Sequence, residues 1–199
     1  MAVFVEGEYG IGKSSLAGCL QAMAQKGYSL HPVYAPLGGA TTLEELGQKV
    51  LEATIRSGAL APQLWENLKN WLGKYIGEQS LFGFTFRADV LRTDAPSIAS
   101  GMLPFLTQVY TRLREAGIQG LFLVLDEING ITRNPQFAHF VKSLVDTNAM
   151  SSAPLPLLLM LCGVEERRRE MIGHHQPVER IFDVIQVEAL AEEEVRDFF

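Results

Sequence analysis

The stretch Gly-Glu-Tyr-Gly-Ile-Gly-Lys-Ser at residues 7–14 constrains the fold of this chain more than any other feature. It fits the pattern G-x-x-x-x-G-K-[ST] at every fixed position. A β-prone run at residues 2–5 precedes it, and apolar residues follow it at three- and four-residue steps: Leu16, Cys19, Leu20 and Met23. The sequence therefore predicts a strand, a glycine-rich turn and a helix that ends near Gly27.

The residue types of this turn suit a chain of phosphates. Glycines let backbone N–H groups turn inward around an anion, and the following helix adds the positive end of its dipole. Lys13 would reach the β- and γ-phosphates, and the Ser14 hydroxyl would ligate Mg²⁺. We expect nine consecutive residues to bind the nucleotide: Gly7, Glu8, Tyr9, Gly10, Ile11, Gly12, Lys13, Ser14 and Ser15.

Two adjacent acids form the second chemical feature. Residues 121–125 are apolar throughout and lead into Asp126 and Glu127, which is typical of a buried parallel strand with chemistry at its C-terminal end. Buried acids are costly unless they face a cavity, and a magnesium–nucleotide complex supplies a reason for both. Asp126 would hold Mg²⁺ through water, and Glu127 would be the general base that polarises the attacking water. The alternative is a loop carboxylate pair that caps the next segment.

The remaining pattern alternates strands with helices. Strands are predicted at 30–35, 157–162 and 181–187, and helices at 42–57, 62–76, 104–115, 137–145, 164–172 and 191–199. Thr42 and Glu45 form a capping-box pattern at the start of the second helix. The aromatic run at 81–86 is compatible with an edge strand or a packed loop. This alternation predicts a three-layer α/β fold with a largely parallel sheet.

Together these motifs resemble the AAA+ ATPases and their close P-loop relatives. In this class an additional strand lies between the phosphate-loop strand and the Asp-Glu strand. The resemblance is closest to the initiator, transposition-helper and STAND-like branches, and it rests on four segments: GEYGIGKS, LFLVLDE, LLLMLCG and RIFDVIQVEALAEEEVRDFF. It implies a P-loop ATPase core over residues 1–188 and, over 189–199, the first helix of a truncated α-helical lid. The two terminal phenylalanines suggest a domain that continues in a longer protein.

The resemblance implies Mg²⁺-dependent binding and hydrolysis of ATP that drives conformational change in a larger protein or assembly. ATP or ADP and Mg²⁺ are the implied cofactors, and the chain lacks the N-K-x-D pattern that reads guanine. Arg180 matches the place where many members put a catalytic arginine that reaches a neighbour's γ-phosphate. The alternative is a surface arginine paired with Glu179 or Asp183. Cys162 stands where the family usually has a polar γ-phosphate sensor, so slow hydrolysis is expected.

Two other function classes compete with an active ATPase. The first is a nucleotide-binding switch or scaffold with little turnover, which the nonpolar sensor strand favours. The second is a small-molecule kinase, which has a suitable size and loop. Glu127 beside Asp126 is an arrangement suited to activating water, and this observation disfavours the kinase.

Charge and cysteine content limit the partners and the compartment. Seventeen Lys and Arg against 23 Asp and Glu give a net charge of -6, so nucleic acid is expected to bind only through domains not present here. Only Cys19 and Cys162 occur, which favours a reducing, cytoplasmic location without a disulfide framework. No apolar run is long enough to cross a membrane. Self-association or partner subunits are expected at the ATPase face.

Three smaller features have simple structural interpretations. The arginines at 167–169 lie between Glu165-Glu166 and Glu170, which predicts ion pairs within one helix. His174 and His175 are expected on a solvent-exposed loop rather than on a metal. Cys19, on the first helix, is expected to be a packing residue.

Overall fold

The computed structural model describes residues 1–59 and 95–189 of the chain. Its strands are β1 (Ala2–Glu6), β2 (Leu30–Pro36), β3 (Gly120–Asp126), β4 (Leu157–Gly163) and β5 (Phe182–Gln186). Its helices are α1 (Lys13–Tyr28), α2 (Leu43–Arg56), α3 (Ala95–Arg114), α4 (Pro135–Ala149) and α5 (Glu165–His174). Short 3₁₀ turns span Ile131–Arg133 and Gln176–Ile181. Within the described ranges no helix is long and apolar enough to span a bilayer.

The five strands form one parallel sheet in the order β2-β3-β4-β1-β5. Strand β4 therefore lies between the strand that leads into the glycine turn and the strand that ends in Asp126, as the resemblance predicts. Because all strands run in the same direction, their carboxyl ends meet at one edge of the sheet. Residues that follow β1, β2, β3 and β4 are thereby brought together.

Helices cover both faces of the sheet, which confirms the three-layer α/β fold. Alternate residues of β3 point to opposite faces. Leu121, Leu123 and Leu125 belong to the larger apolar cluster, with residues of α2, α3 and α4. Phe122 and Val124 belong to a smaller cluster with residues of α1. The continuous apolar run of β3 is thus explained by burial on both sides.

The orientation of α1 differs from the prediction. Ala17 and Ala24 are the buried residues of this helix, whereas Cys19 is exposed and the side chain of Met23 is 55% exposed. Leu16 and Leu20 pack against the smaller apolar cluster as predicted, so the prediction is wrong only for Cys19 and Met23. Small alanines at the centre of the face allow the helix to lie close to the sheet. The helix also passes Gly27 and ends at Tyr28, followed by Ser29 with a left-handed φ of 52°.

Helix α2 matches its predicted cap and α3 does not match its predicted start. The Thr42 hydroxyl accepts a hydrogen bond from the Glu45 N–H, and the Glu45 carboxylate accepts one from the Thr42 N–H, so the capping box is confirmed. Helix α3 begins at Ala95, and Pro104 lies inside it rather than in its first turn. The predicted helices at 62–76 and 191–199 and the aromatic run at 81–86 lie outside the described residues.

Two of the three consecutive arginines in the charged helix α5 form the expected ion pairs within the helix. Arg167 pairs with Glu170 and Arg169 with Glu165, both within the helix. Arg168 departs from the prediction, because its Nε donates to Oε2 of Glu6 at the end of β1 over 2.6 Å. Glu6 is only 6% exposed, so this pair joins α5 to the sheet across a buried contact.

The two adjacent histidines match the predicted exposed loop only in part. His174 is the last residue of α5 and is exposed. His175 is half-buried, and its ring centroid lies 4.0 Å from that of His139 on α4.

Candidate functional site

The glycine turn between β1 and α1 takes backbone conformations that explain its composition. Gly10 and Gly12 have φ values of 78° and 104°, which side chains disfavour. At Gly7 a Cβ atom would lie 2.5 Å from the carbonyl oxygen of Val187, so there is no room for one. Helix α1 begins at Lys13, directly after Gly12. The N–H groups of its first turn and the positive end of its dipole therefore lie at the turn.

Lys13 lies across the glycine turn. Its Nζ donates hydrogen bonds to the carbonyl oxygens of Gly7 (2.8 Å) and Glu8 (2.7 Å). It also lies 5.9 Å from the ring centroid of Tyr9. Both hydrogen bonds are to neutral acceptors, which bind an ammonium group less strongly than an ionised oxygen does. An incoming phosphate could therefore displace them.

Asp126 is a buried carboxylate surrounded by neutral donors. The Ser14 hydroxyl donates to its Oδ2 over 2.6 Å, the Tyr34 hydroxyl to the same oxygen over 2.5 Å, and the Glu127 N–H to Oδ1 over 2.7 Å. Asp126 is 2% exposed, and no Lys or Arg in the described part of the chain forms an ion pair with it. A buried carboxylate without a counter-charge is costly, so this site favours an added cation.

The donor set fits Mg²⁺. A carboxylate and a hydroxyl are hard oxygen donors, which this ion prefers. Asn129 lines the same cavity, and its Oδ1 is buried without a hydrogen-bond partner in the structure. The described residues contain no cluster of three or more His, Cys, Asp or Glu that could enclose a metal. A cation here would complete its shell with water and substrate phosphates, as Mg²⁺ does at nucleotide sites.

Glu127 is held in an unusual conformation beside Asp126. Its φ is 56°, which is uncommon for a residue other than glycine. Its side chain lies against Gly38 in the loop after β2, where a Cβ atom on Gly38 would be 2.2 Å from the Glu127 Oε2. The Leu37 N–H in this loop donates to the Asp126 carbonyl over 2.7 Å. The loop after β2 therefore borders the Glu127 carboxylate on one side.

The site opens into two cavities that share Tyr9. One has a volume of about 280 Å³ and is lined by the glycine turn, Lys13, both acids and the end of β4. The other has a volume of about 480 Å³ and is lined by residues 6–9, residues 164–166 and Gln186. Burial raises the pKa of the Cys162 thiol, which lines the first cavity, to about 12, with Asp126 adding to the effect. This thiol is therefore neutral and a weak hydrogen-bond partner.

The structure brings together most of the residues that the sequence analysis selected. The first cavity is lined by Tyr9, Gly10, Gly12, Lys13, Ser14, Ser15, Asp126 and Glu127, and the second by Gly7 and Glu8. Ile11 lies against Gly7 instead. Arg180 is exposed on the 3₁₀ turn and lines neither cavity. Among the described residues it forms no ion pair with Glu179 or Asp183.

Sequence analysis missed three residues of the site, namely Tyr34, Gly38 and Asn129. Burial and the hydrogen bond to Asp126 raise the pKa of Tyr34 well above its usual value, so its hydroxyl remains a donor. Tyr34 and Gly38 belong to no recognisable sequence motif. Only the pairing of β2 with β3 brings them close to Asp126 and Glu127. Asn129 could have been predicted from the sequence, because it comes two residues after Glu127 in the same loop.

Comparisons with known proteins find likeness in structure and not in sequence. No protein-family model matches the chain, and no curated protein matches its sequence. The chain is similar to ORC2 of Aeropyrum pernix in its ADPNP–ADP complexes, with a TM-score of 0.60 and 14% identity, over 99% of this chain and 44% of ORC2. The ADP form of ORC2 gives a TM-score of 0.59 with the same identity and coverage. The chain thus spans less than half of ORC2, and the likeness shows that the two share a P-loop NTPase-like fold.

Proposed function

We propose that this domain binds ATP or ADP with Mg²⁺ and hydrolyses ATP to drive conformational change in a larger protein or assembly. The observation that carries the proposal is the hydrogen bond between Ser14 and Asp126, two residues that lie 112 positions apart. This bond joins the glycine turn to the pair of acids in one cavity. The nucleotide-bound states of ORC2, a protein of the same fold, support the choice of ligand.

Each residue of the cavity has a defined role in this reaction. Lys13 exchanges the carbonyl oxygens of Gly7 and Glu8 for phosphate oxygens, which are stronger acceptors for an ammonium group. Ser14 and Asp126 hold Mg²⁺, which supplies positive charge to the phosphates. Glu127 accepts a proton from the water that attacks the γ-phosphate. Its carboxylate lies against Gly38 in the loop after β2.

Binding and hydrolysis are tested separately with two variants and one control. Lys13→Ala should weaken binding of a fluorescent ATP analogue at least tenfold, because it removes the cation that meets the phosphates. Glu127→Gln should leave binding within about twofold and lower phosphate release at least 10²-fold, since it removes the general base. Lys26→Ala, on the last turn of the same helix, is the matched control and should change neither. Wild-type protein that binds no nucleotide would refute the proposal.

A nucleotide switch with little turnover is the second candidate. It is favoured by the neutral Cys162 thiol at the end of β4, where a polar residue would be needed to sense a γ-phosphate. In such a switch Glu127→Gln would change neither binding nor the very low rate of phosphate release. The same set of measurements therefore separates the two candidates.

Activity is proposed to depend on association of subunits. Arg180 is exposed, and within residues 1–59 and 95–189 it forms no ion pair with Glu179 or Asp183, so it is accessible to a second copy. An arginine that enters a neighbouring site would stabilise charge on the transferred phosphoryl group. The rate per subunit should then rise with protein concentration, and Arg180→Ala should abolish that rise. A rate per subunit independent of concentration would refute the role in trans.

A further inference from the structure

Tyr34 reaches the acidic end of β3 from the neighbouring strand. In the register of β2 and β3 it lies opposite Val124, two residues before Asp126. Its ring packs against the apolar cluster under α1, and its hydroxyl donates to the Asp126 Oδ2 over 2.5 Å. The ring is held by packing, so the hydroxyl is presented from a fixed position.

The Asp126 carboxylate accepts fewer hydrogen bonds than it has lone-pair positions. An ionised carboxylate has about four lone-pair positions, two on each oxygen. Ser14 and Tyr34 occupy those of Oδ2, and the Glu127 N–H occupies one of Oδ1. The remaining position of Oδ1 is the one open to a further donor, such as a water molecule on a cation.

A bound cation would affect the hydrogen bonds of Ser14 and Tyr34 to Asp126 differently. Ser14 is the expected cation ligand, so its hydroxyl is shared between the cation and Asp126. The Tyr34 hydroxyl is carried by a different element, β2, and remains available to hold Oδ2 when Ser14 turns toward the cation. Hydrogen-bond partners of this kind orient a carboxylate and typically affect metal affinity about 10- to 100-fold.

We propose that Tyr34 is a positioning residue that orients Asp126 for a divalent cation at the nucleotide site. This inference rests on the proposed function of the site. It extends the cation site to the edge strand β2, which carries none of the motif residues. In this role the hydroxyl acts through the carboxylate to which it donates.

The test is the Mg²⁺ dependence of nucleotide binding in Tyr34→Phe. Binding of fluorescent ADP is measured at equilibrium in EDTA and across a Mg²⁺ titration. We expect affinity in EDTA within about twofold of wild type and a half-saturating Mg²⁺ concentration about tenfold higher. Tyr28→Phe, an exposed tyrosine at the end of α1, is the control and should follow the wild-type curve. An unchanged Mg²⁺ curve in Tyr34→Phe would overturn the inference while leaving the proposed function intact.

A double-mutant cycle shows whether Tyr34 acts through Asp126. Tyr34→Phe should shift the Mg²⁺ curve in the wild-type background and have no effect in Asp126→Asn, because the carboxylate it orients is then absent. An equal shift in both backgrounds would contradict the assignment. Thermal unfolding is followed alongside, and a Tyr34→Phe chain that unfolds under the assay conditions would also count against it, since the hydroxyl would then support the fold. Wild-type protein that binds no nucleotide would instead reject the proposed function.

Discussion

Gly38→Ala should slow catalysis while leaving the fold intact. The added Cβ would lie 2.2 Å from Oε2 and 3.4 Å from Cδ of Glu127. Ordinary contacts begin near 3.4 Å, so the carboxylate oxygen must move by about 1 Å. Gly38 is not one of the glycines with positive φ, so alanine fits its backbone. The atom that must move is the far end of a flexible side chain, and a change below about 0.5 kcal/mol in folding free energy is expected.

The expected effect on rate follows from the displacement. A misplacement of about 1 Å can lower a rate about 10²-fold, which corresponds to about 2.7 kcal/mol of activation free energy. The assay is phosphate release at saturating ATP and Mg²⁺, with fluorescent ADP binding and thermal unfolding measured on the same samples. Binding should be unchanged, because Gly38 lies against the general base and not against the phosphate loop.

A neighbouring glycine provides the control. Gly39 has a φ of 79° and open space around its Cα, so Gly39→Ala strains the backbone without contacting Glu127. It should destabilise the fold by about 1 kcal/mol and have a smaller effect on the rate. Gly38→Ala should also add nothing to Glu127→Gln, since both act on the same carboxylate. Wild-type turnover in Gly38→Ala would refute the reasoning.

Three further outcomes are expected. Arg168→Ala leaves Glu6 buried without its partner and should lower the free energy of unfolding by about 3 kcal/mol, measured in urea. Thr42→Ala removes the hydroxyl of the α2 capping box and should lower the free energy of unfolding by about 1 kcal/mol in the same assay. Burial lowers the pKa of His31 and of His175, so the unfolded chain binds more protons below about pH 6.5. Stability should therefore fall as the pH decreases through 6.5, and calorimetry at pH 7.5 and 5.5 should show a smaller loss in His31→Asn.

The sequence was sufficient for the parts of the candidate site whose conformation is set locally. A turn that needs left-handed backbone selects glycine, as at Gly10 and Gly12, and a lysine at the start of the next helix marks the anion site. Asp126 and Glu127 are adjacent in sequence and follow an apolar strand. These features require no knowledge of which strands are neighbours, so their pattern alone predicts them.

Features that depend on neighbouring elements were not predictable in this way. Tyr34 and Asp126 are 92 residues apart and meet only because β2 pairs with β3. Arg168 has acidic neighbours within its helix, yet it pairs with Glu6 because α5 packs beside β1. In α1, the apolar spacing correctly selected Leu16 and Leu20, but it also selected Cys19, which is exposed, and it missed the buried Ala17 and Ala24. Spacing along the chain cannot distinguish these alternatives.

Strand β2 and the loop after it contact both carboxylates of the candidate site. Tyr34 donates to Asp126, and the backbone at Gly38 lies against Glu127. In the same loop the Leu37 N–H donates a hydrogen bond to the Asp126 carbonyl, and the loop leads into the capped start of α2. A displacement of β2 and its loop relative to β3 would therefore change the surroundings of the Asp126 and Glu127 carboxylates together. Because β2 lies at the edge of the described sheet, a partner that binds there could alter hydrolysis without contacting the nucleotide.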